Sequence, residues 1–360
     1  MLDDIQVLQR RDSEGTLDAT AQQCGQARLP VEILSPDHDG RELTKIVVAG
    51  MGGSALAAQL AKTWLDSELS VSFEIVRDYV LPTYVDYNTL VILSSCSGNT
   101  EETLACFSDA QKQFAQTAVI SGGGELMKLA ETNNIAHVML PKLAIQPRML
   151  TIAQLRALTA LLSHFGVVNY DRFAEIAETA DWLAEEAMAW EPNVTTDKNY
   201  AKQLALLAVG KTPVFYSGPL MKSAAYKWKI SWNENAKNVA FCSEYPEANH
   251  NEFIGWSSHP VEKPFAVFDI VSSFEHPQVL KRFEVSDKLL SGRRPKAQTI
   301  QVSGDTPLRQ LLWANILADF ASIYTGILNN VDPGPVVLAT KLKHALQSEL
   351  SASDTDAVTR

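Results

Sequence analysis

Ile46-Val47-Val48-Ala49-Gly50-Met51-Gly52-Gly53-Ser54-Ala55 passes from a fully apolar run, through a cluster of glycines, into the Ala- and Leu-rich period of Ser54 to Leu65. A run that short, closed by glycine, reads as a strand buried on both faces, and the three- and four-residue spacing after it as a helix packed back on the sheet. The pattern recurs outward from this stretch. Phe73 to Val76, Leu90 to Leu93, Thr117 to Ile120 and Ala136 to Leu140 read as strands. Thr100 to Phe114, and a shorter segment after the break at Gly122-Gly123-Gly124, read as helices. Strands alternating with crossover helices build a parallel sheet, so the expected class is α/β.

Residues 150 to 190 carry a helical period with no strand candidate among them. A second alternation follows, with a helix at Tyr200 to Val209, a strand at Val214 to Tyr216 and a helix from Leu220 to about Asn235. Val239 to Cys242, Phe265 to Val271 and Thr299 to Val302 supply further strands. Leu308 to Leu328 and Val336 to Leu350 read as closing helices around Asp332-Pro333-Gly334-Pro335, with a frayed tail after Ser351. The 360 residues are thus expected to form a first lobe with a leader over 1–149, a helical connector over 150–195, a second lobe over 196–330, and a closing helix and tail over 331–360. Each lobe is expected to be a mainly parallel sheet with helices on both faces.

Of the residues, 46% are hydrophobic and 20% charged, enough for a large core and against disorder or fibre. The 31 basic and 42 acidic residues leave a net charge of −11 with no basic run, which argues against a surface that coats nucleic acid. Four scattered cysteines without a CxxC pair point to neither zinc nor a disulfide framework, and fit a reducing, cytoplasmic setting. An acidic start, and the lack of any window of about 18 uninterrupted apolar residues, predict neither an export signal nor a membrane span.

Two strand-end loops carry the chemistry. Gly52, Gly53 and Ser54 stand where a strand gives way to a helix: glycine admits close backbone approach, and the helix amides and dipole favour an anion, a phosphate above all. A ligand-free tight turn is the plain alternative; another is the dinucleotide fingerprint GxGxxA, with Glu74 or Asp78 as ribose acceptor. The second loop, Ser94-Ser95-Cys96-Ser97-Gly98-Asn99-Thr100-Glu101-Glu102-Thr103, opens another helix. Its Ser95, Ser97 and Thr100 hydroxyls suit a phosphate monoester, or else serve as caps, with Thr100 and Thr103 satisfying orphan amides. Cys96, with no basic partner in view, reads as packing rather than as a nucleophile. Two anion-suited loops at neighbouring strand ends favour a phosphate over a dinucleotide, which leaves the second loop without a purpose. No cluster of His, Cys, Asp and Glu has ligand spacing, so no metal or other cofactor is expected.

Strand-GMGGS-helix followed by strand-SxSGNTEET-helix resembles the sugar isomerase (SIS) domain family. Two further segments, Asn233-Glu234-Asn235-Ala236-Lys237 and Glu247-Ala248-Asn249-His250-Asn251-Glu252-Phe253-Ile254-Gly255-Trp256, resemble the catalytic segments of its bifunctional phosphoglucose/phosphomannose isomerases. The resemblance implies a metal-independent aldose-ketose isomerase that interconverts glucose 6-phosphate, and mannose 6-phosphate, with fructose 6-phosphate through an enediol. It further implies that Glu234 moves the proton between C2 and C1 and that Arg148 stabilises the enediolate. His250 would open the sugar ring from the neighbouring subunit of a homodimer, and Lys343, rather than Lys341, would contact the substrate. The phosphate would sit on Gly52, Gly53, Ser54, Ser95, Ser97 and Thr100. The residue types suit these roles: His250 lies in a polar loop, unlike His137 and His164, and an imidazole titrates near neutrality, while a guanidinium keeps its proton beside an oxyanion. Despite the acidic net charge, a locally basic crevice at Arg148 and Lys343 is expected. A solvated helix-end glutamate and a surface ion pair are the plain alternatives for Glu234 and Arg148. Cys96 departs from the family, which usually has an aromatic residue between the two serines, and residues 1 to 44 match nothing in it. A phosphosugar-binding protein that keeps the loops but has no working base is the rival reading.

Overall fold

A computed structural model of the chain describes residues 1–35, 37–143, 145–258, 264–343 and 345–346. The apolar runs become two parallel sheets. The first contains β1 (Lys45–Gly50), β2 (Ser72–Val76), β3 (Thr89–Ser95), β4 (Gln116–Ser121) and β5 (Ala136–Met139), in the order β2-β1-β3-β4-β5. The second contains β6 (Thr212–Ser217), β7 (Phe241–Glu244), β8 (Phe265–Val271) and β9 (Gln298–Gln301), in the order β7-β6-β8-β9. In both, the chain leaves the first strand to one side and returns on the other. The carboxyl ends of β1 and β3 therefore flank a crevice of the kind in which open α/β sheets bind ligands.

Helices α1 (Ile5–Arg11) and α2 (Thr16–Gln22) lead in, and α3 (Gly53–Leu65), α4 (Glu101–Lys112) and α5 (Gly124–Thr132) cross over the first sheet. Next come α6 (Thr151–His164), α7 (Tyr170–Glu178) and α8 (Ala180–Met188), then α9 (Tyr200–Ala208), α10 (Lys222–Glu234), α11 (Glu252–Gly255), α12 (Pro277–Leu289) and α13 (Pro307–Leu328). Side chains alternate across a strand, so Ile46, Val48, Leu90 and Ile92 enter one core beside residues of α3 and α6. Val47, Ala49, Val91 and Leu93 enter another beside Phe107 of α4 and Leu126 of α5. The first of these cores also takes Phe215, Trp228, Trp232 and Phe320, and so runs continuously from one sheet to the other. Helix α13 lies inside it and is apolar almost all round. Among the described residues it is the one helix long and apolar enough to cross a membrane, and 94% of its apolar window is buried within the protein.

The leader, to which the sequence assigns no role, is an integral brace. Arg11 Nη1 donates to Ile327 O at 2.6 Å and Gln23 Nε2 to Asp319 Oδ2 at 2.9 Å, both at α13. Gln26 reaches the first lobe, donating to Met149 O at 2.8 Å and accepting from Ala153 N at 3.1 Å. Strand β7 starts two residues later than the expected Val239. After α10 the chain makes a helix-ending turn, with Lys237 at φ +51° and Asn238 N–H bonded back to Trp232 O at 3.2 Å, and this turn uses the intervening residues. Of the expected closing helix over 336–350, residues 337–343 are helical; residues 344 and 347–360, with the tail after Ser351, lie outside the described residues.

Candidate active site

The glycine loop closes because side chains do not fit there. A Cβ on Gly50 would lie 2.8 Å from Ser94 O of β3, and one on Gly53 would lie 3.1 Å from Arg148 Cα and 3.2 Å from Pro147 O. The start of α3 is thereby packed directly on Arg148. Ser54 Oγ accepts from Cys96 N at 3.2 Å and so joins the two loops. In the second loop Ser95 Oγ and Thr100 Oγ1 are 2.8 Å apart, while Ser95 Oγ accepts from Gly98 N at 3.1 Å and Ser97 Oγ from Asn99 N at 3.3 Å. Thr100 makes no side-chain bond to the amides of α4, so the capping alternative fails for Thr100, while Ser95 and Ser97 do satisfy loop amides. Gly98 has φ +69°, and a Cβ there would come within 1.7 Å of Gly123 O. The break at Gly122-Gly123-Gly124, which reads from sequence only as a stop, is what leaves room for this turn. Cys96 accepts from Gln154 Nε2 at 2.9 Å, and burial holds its thiol above the ordinary value, which suits packing and not nucleophilic attack. Glu74, a ribose acceptor in the dinucleotide reading, accepts the Tyr84 hydroxyl instead.

Arg148 lies in a short 3-10 turn, Pro147–Met149, with 1% of its surface exposed. A buried guanidinium needs its donors met, and four hydrogen bonds are made here. Nε donates to Asn235 Oδ1 at 2.6 Å, Nη2 to Pro333 O at 2.9 Å and Gly334 O at 3.2 Å, and Nη1 to Glu234 Oε2 at 3.2 Å. Glu234 ends α10 with its side chain 36% exposed, so a wholly enclosed cation fixes a carboxylate that reaches solvent. The carbonyl of Arg148 accepts from Lys227 Nζ at 2.9 Å, and Lys227 is ion-paired to Asp319 at 2.8 Å with neither side chain exposed. Ser231 Oγ donates to Asp319 Oδ1 at 2.8 Å and Asn235 Nδ2 to Ser322 Oγ at 2.8 Å. Helices α10 and α13 thus hold the arginine through a buried polar network. Sequence reasoning misses Lys227 and Asp319, although an aspartate within Leu317-Ala318-Asp319-Phe320 is a usable signal: a lone charge in an apolar helix is buried only when paired.

Lys237 is a third missed residue. Its Nζ donates to Glu234 O at 2.6 Å and Pro333 O at 3.0 Å, and partial burial, followed by the charge of Arg148, pushes its pKa down to about 8. A cavity of about 860 Å³ opens beside Glu234 and Lys237, walled by Phe241 and by the segment from Pro335 to Ala339.

Two expected residues stand apart from this cluster. His250 is exposed on a turn in which its N–H bonds Glu247 O at 2.9 Å, and among the described residues its imidazole has no hydrogen-bond partner. The loop around it is held firmly. Asn249 accepts from Arg282 Nη1 at 3.0 Å and donates to Ser286 Oγ at 2.9 Å, and Tyr216 donates to Glu252 Oε2 at 3.0 Å. Lys341 and Lys343 are exposed on the helical segment 337–343, and neither bonds to Glu234 or Arg148. Of the expected basic crevice, Arg148 is therefore joined by Lys237 and not by Lys343. Among the described residues no three His, Cys, Asp or Glu are grouped to hold a metal ion.

Residues 197–346 match the family model described as the bacterial phospho-glucose isomerase C-terminal SIS domain. The chain is 31% identical over 317 residues to the bifunctional phosphoglucose/phosphomannose isomerase of Caldicellulosiruptor bescii, covering 87% of this chain and 92% of that one. To the bifunctional phosphoglucose/phosphomannose isomerase of Aquifex aeolicus it is 32% identical over 306 residues, covering 84% and 90%. The crystal structure of a glucose-6-phosphate isomerase like protein from Thermus thermophilus superposes with a TM-score of 0.63 at 17% identity, covering 95% and 98%, a likeness of fold. An α/β chain with two SIS-type parallel sheets, related at this level over nearly its whole length, belongs to the bifunctional phosphoglucose/phosphomannose isomerase family.

Proposed function

We propose that the chain is a metal-independent aldose-ketose isomerase that interconverts glucose 6-phosphate, and mannose 6-phosphate, with fructose 6-phosphate. Family membership supports phosphosugar isomerisation. The observation that carries the finer reading is the unbroken run of contacts from the Ser95–Thr100 hydroxyls through Cys96, Ser54 and Gly53 to the Arg148–Glu234 pair. A phosphate bound at Gly52, Gly53, Ser54, Ser95, Ser97 and Thr100 leaves the reacting end of the sugar to a carboxylate and a fixed guanidinium. Glu234 takes the proton from C2 of the open-chain aldose and returns it to C1, while the carbonyl moves from C1 to C2 and a proton passes from O2 to O1. Arg148 stabilises the enediolate between these steps, a use of preorganised charge that needs no reorganisation at the moment of reaction. A phosphosugar sensor has no need of a solvent-reaching carboxylate clamped on a buried cation, and this weighs against the non-catalytic alternative.

His250, exposed and without an imidazole partner among the described residues of its own chain, fits a group that opens the hexose ring in a neighbouring subunit, and so a homodimer, with Lys343 touching the substrate. A cytoplasmic setting belongs to the same reading. So does the division at 149, 195 and 330, which is supported by sheets confined to 45–139 and 212–301 and by the helical run between them. After exhaustive chelation the purified chain is expected to convert fructose 6-phosphate into both glucose and mannose 6-phosphates in dehydrogenase-coupled assays. Binding of fructose 6-phosphate by calorimetry without any turnover would instead establish the sensor.

A further inference from the structure

Lys237 occupies a backbone conformation, φ +51°, that side chains disfavour and that glycine or asparagine ordinarily fills at a helix end. A lysine in that place keeps something glycine lacks. Its ammonium folds back onto Glu234 O at 2.6 Å and Pro333 O at 3.0 Å, and the same Pro333 carbonyl accepts from Arg148 Nη2 at 2.9 Å. Two cations share one carbonyl and grip Glu234 from two sides, Arg148 at the carboxylate and Lys237 at the backbone. We infer that Lys237 is a positioning residue for Glu234 and that its ammonium sets the alkaline limit of the reaction, an inference that rests on the isomerase reading above.

The charged groups facing Lys237 are Arg148 from the turn Pro147–Met149, Glu234 from α10, Asp332 from the segment after α13, and Glu14 from the leader. Burial and Arg148 lower its affinity for the proton, the three carboxylates raise it, and the balance falls at about 8. Above that pH the amine still has N–H donors for both carbonyls. What it loses is the positive charge beside Glu234 and beside an enediolate forming there.

The test compares wild type with Lys237→Gly and Lys237→Arg in kcat and KM for fructose 6-phosphate from pH 6 to 10, alongside melting curves. Glycine takes the left-handed turn freely, so Lys237→Gly is expected to melt close to wild type while kcat falls about tenfold or more, with KM changed by less than about threefold. The alkaline fall in kcat, near pH 8 in wild type, should vanish in Lys237→Gly. It should move upward by about one pH unit or more in Lys237→Arg, whose guanidinium keeps its proton and most of kcat. Wild-type kcat in the glycine variant, or an alkaline limb that stays put in the arginine variant, overturns the inference and leaves the isomerase reading standing. Should Lys237→Gly fail to fold, the arginine variant's limb decides alone. A wild type without turnover overturns the isomerase reading, and this inference with it.

Discussion

Gly98 shows how much one missing Cβ can decide. Alanine there would meet Gly123 O at 1.7 Å and need a left-handed φ, so Gly98→Ala is expected to cost at least about 1–2 kcal/mol in denaturant unfolding. Because the loop holds the hydroxyls proposed for phosphate, KM for hexose 6-phosphate should rise more than kcat falls. At Arg148 the fork geometry matters as well as the charge. Lysine cannot meet Asn235, Glu234 and two carbonyls together, and Arg148→Lys should lower kcat by about 10²-fold in steady-state assays. Asp269 illustrates the opposite environment: burial raises its pKa to about 7, with Arg294 opposing and Asp287 adding to the rise. Between about pH 4 and 7 the folded chain then holds a proton that the unfolded chain has lost, so stability falls as pH rises through that window. Melting temperatures from pH 4 to 8 should show this slope in wild type and a flatter one in Asp269→Asn; parallel profiles would contradict it.

At the scale of elements, α10 and α13 present the buried pair Lys227–Asp319 behind Arg148. Removing one partner strands a charge in the core, and Asp319→Ala is expected to cost about 3–5 kcal/mol. The double variant Lys227→Met, Asp319→Leu should recover much of that stability by chemical denaturation but not the activity, because the tether to the Arg148 carbonyl is gone. The elements themselves were largely legible in the sequence. Short, uninterrupted apolar runs such as Ile46 to Ala49 and Leu90 to Leu93 suit strands buried on both faces, and helices do cover both faces of their sheet. Less legible was what depends on contacts between distant segments. Gln23 and Gln26 look like any polar leader residues until α13 and α6 are folded beside them, and Lys237 carries no periodic signal at all. The shift of β7 from Val239 to Phe241 has the same origin, since a helix-ending turn is set by backbone conformation and not by hydrophobic pattern. The two loops could be picked out because they stand where a strand gives way to a helix, whereas Glu234 and Arg148 are singled out only through the resemblance, a helix-end glutamate and a lone arginine carrying no signal of their own.

Among the described residues no hydrogen bond joins His250 to Glu234, and the site proposed above to be shared between two copies would bring them together. In a closed dimer each site would then draw on both chains. Mixing Glu234→Gln with His250→Ala, each inactive alone, and allowing subunits to exchange should restore about a quarter of wild-type activity, because half the dimers then carry one intact site of two. No recovery, with exchange verified by mass spectrometry, would put ring opening elsewhere. Glu234 is proposed to carry a proton between neighbouring carbons without a metal, and proton NMR of fructose 6-phosphate with chelator-treated protein in heavy water follows that transfer itself. Glucose 6-phosphate deuterated at C2 is expected, with Glu234→Gln slower by about 10²–10⁴-fold. Product formed at the wild-type rate by Glu234→Gln, or formed only when a divalent metal is restored, would contradict it.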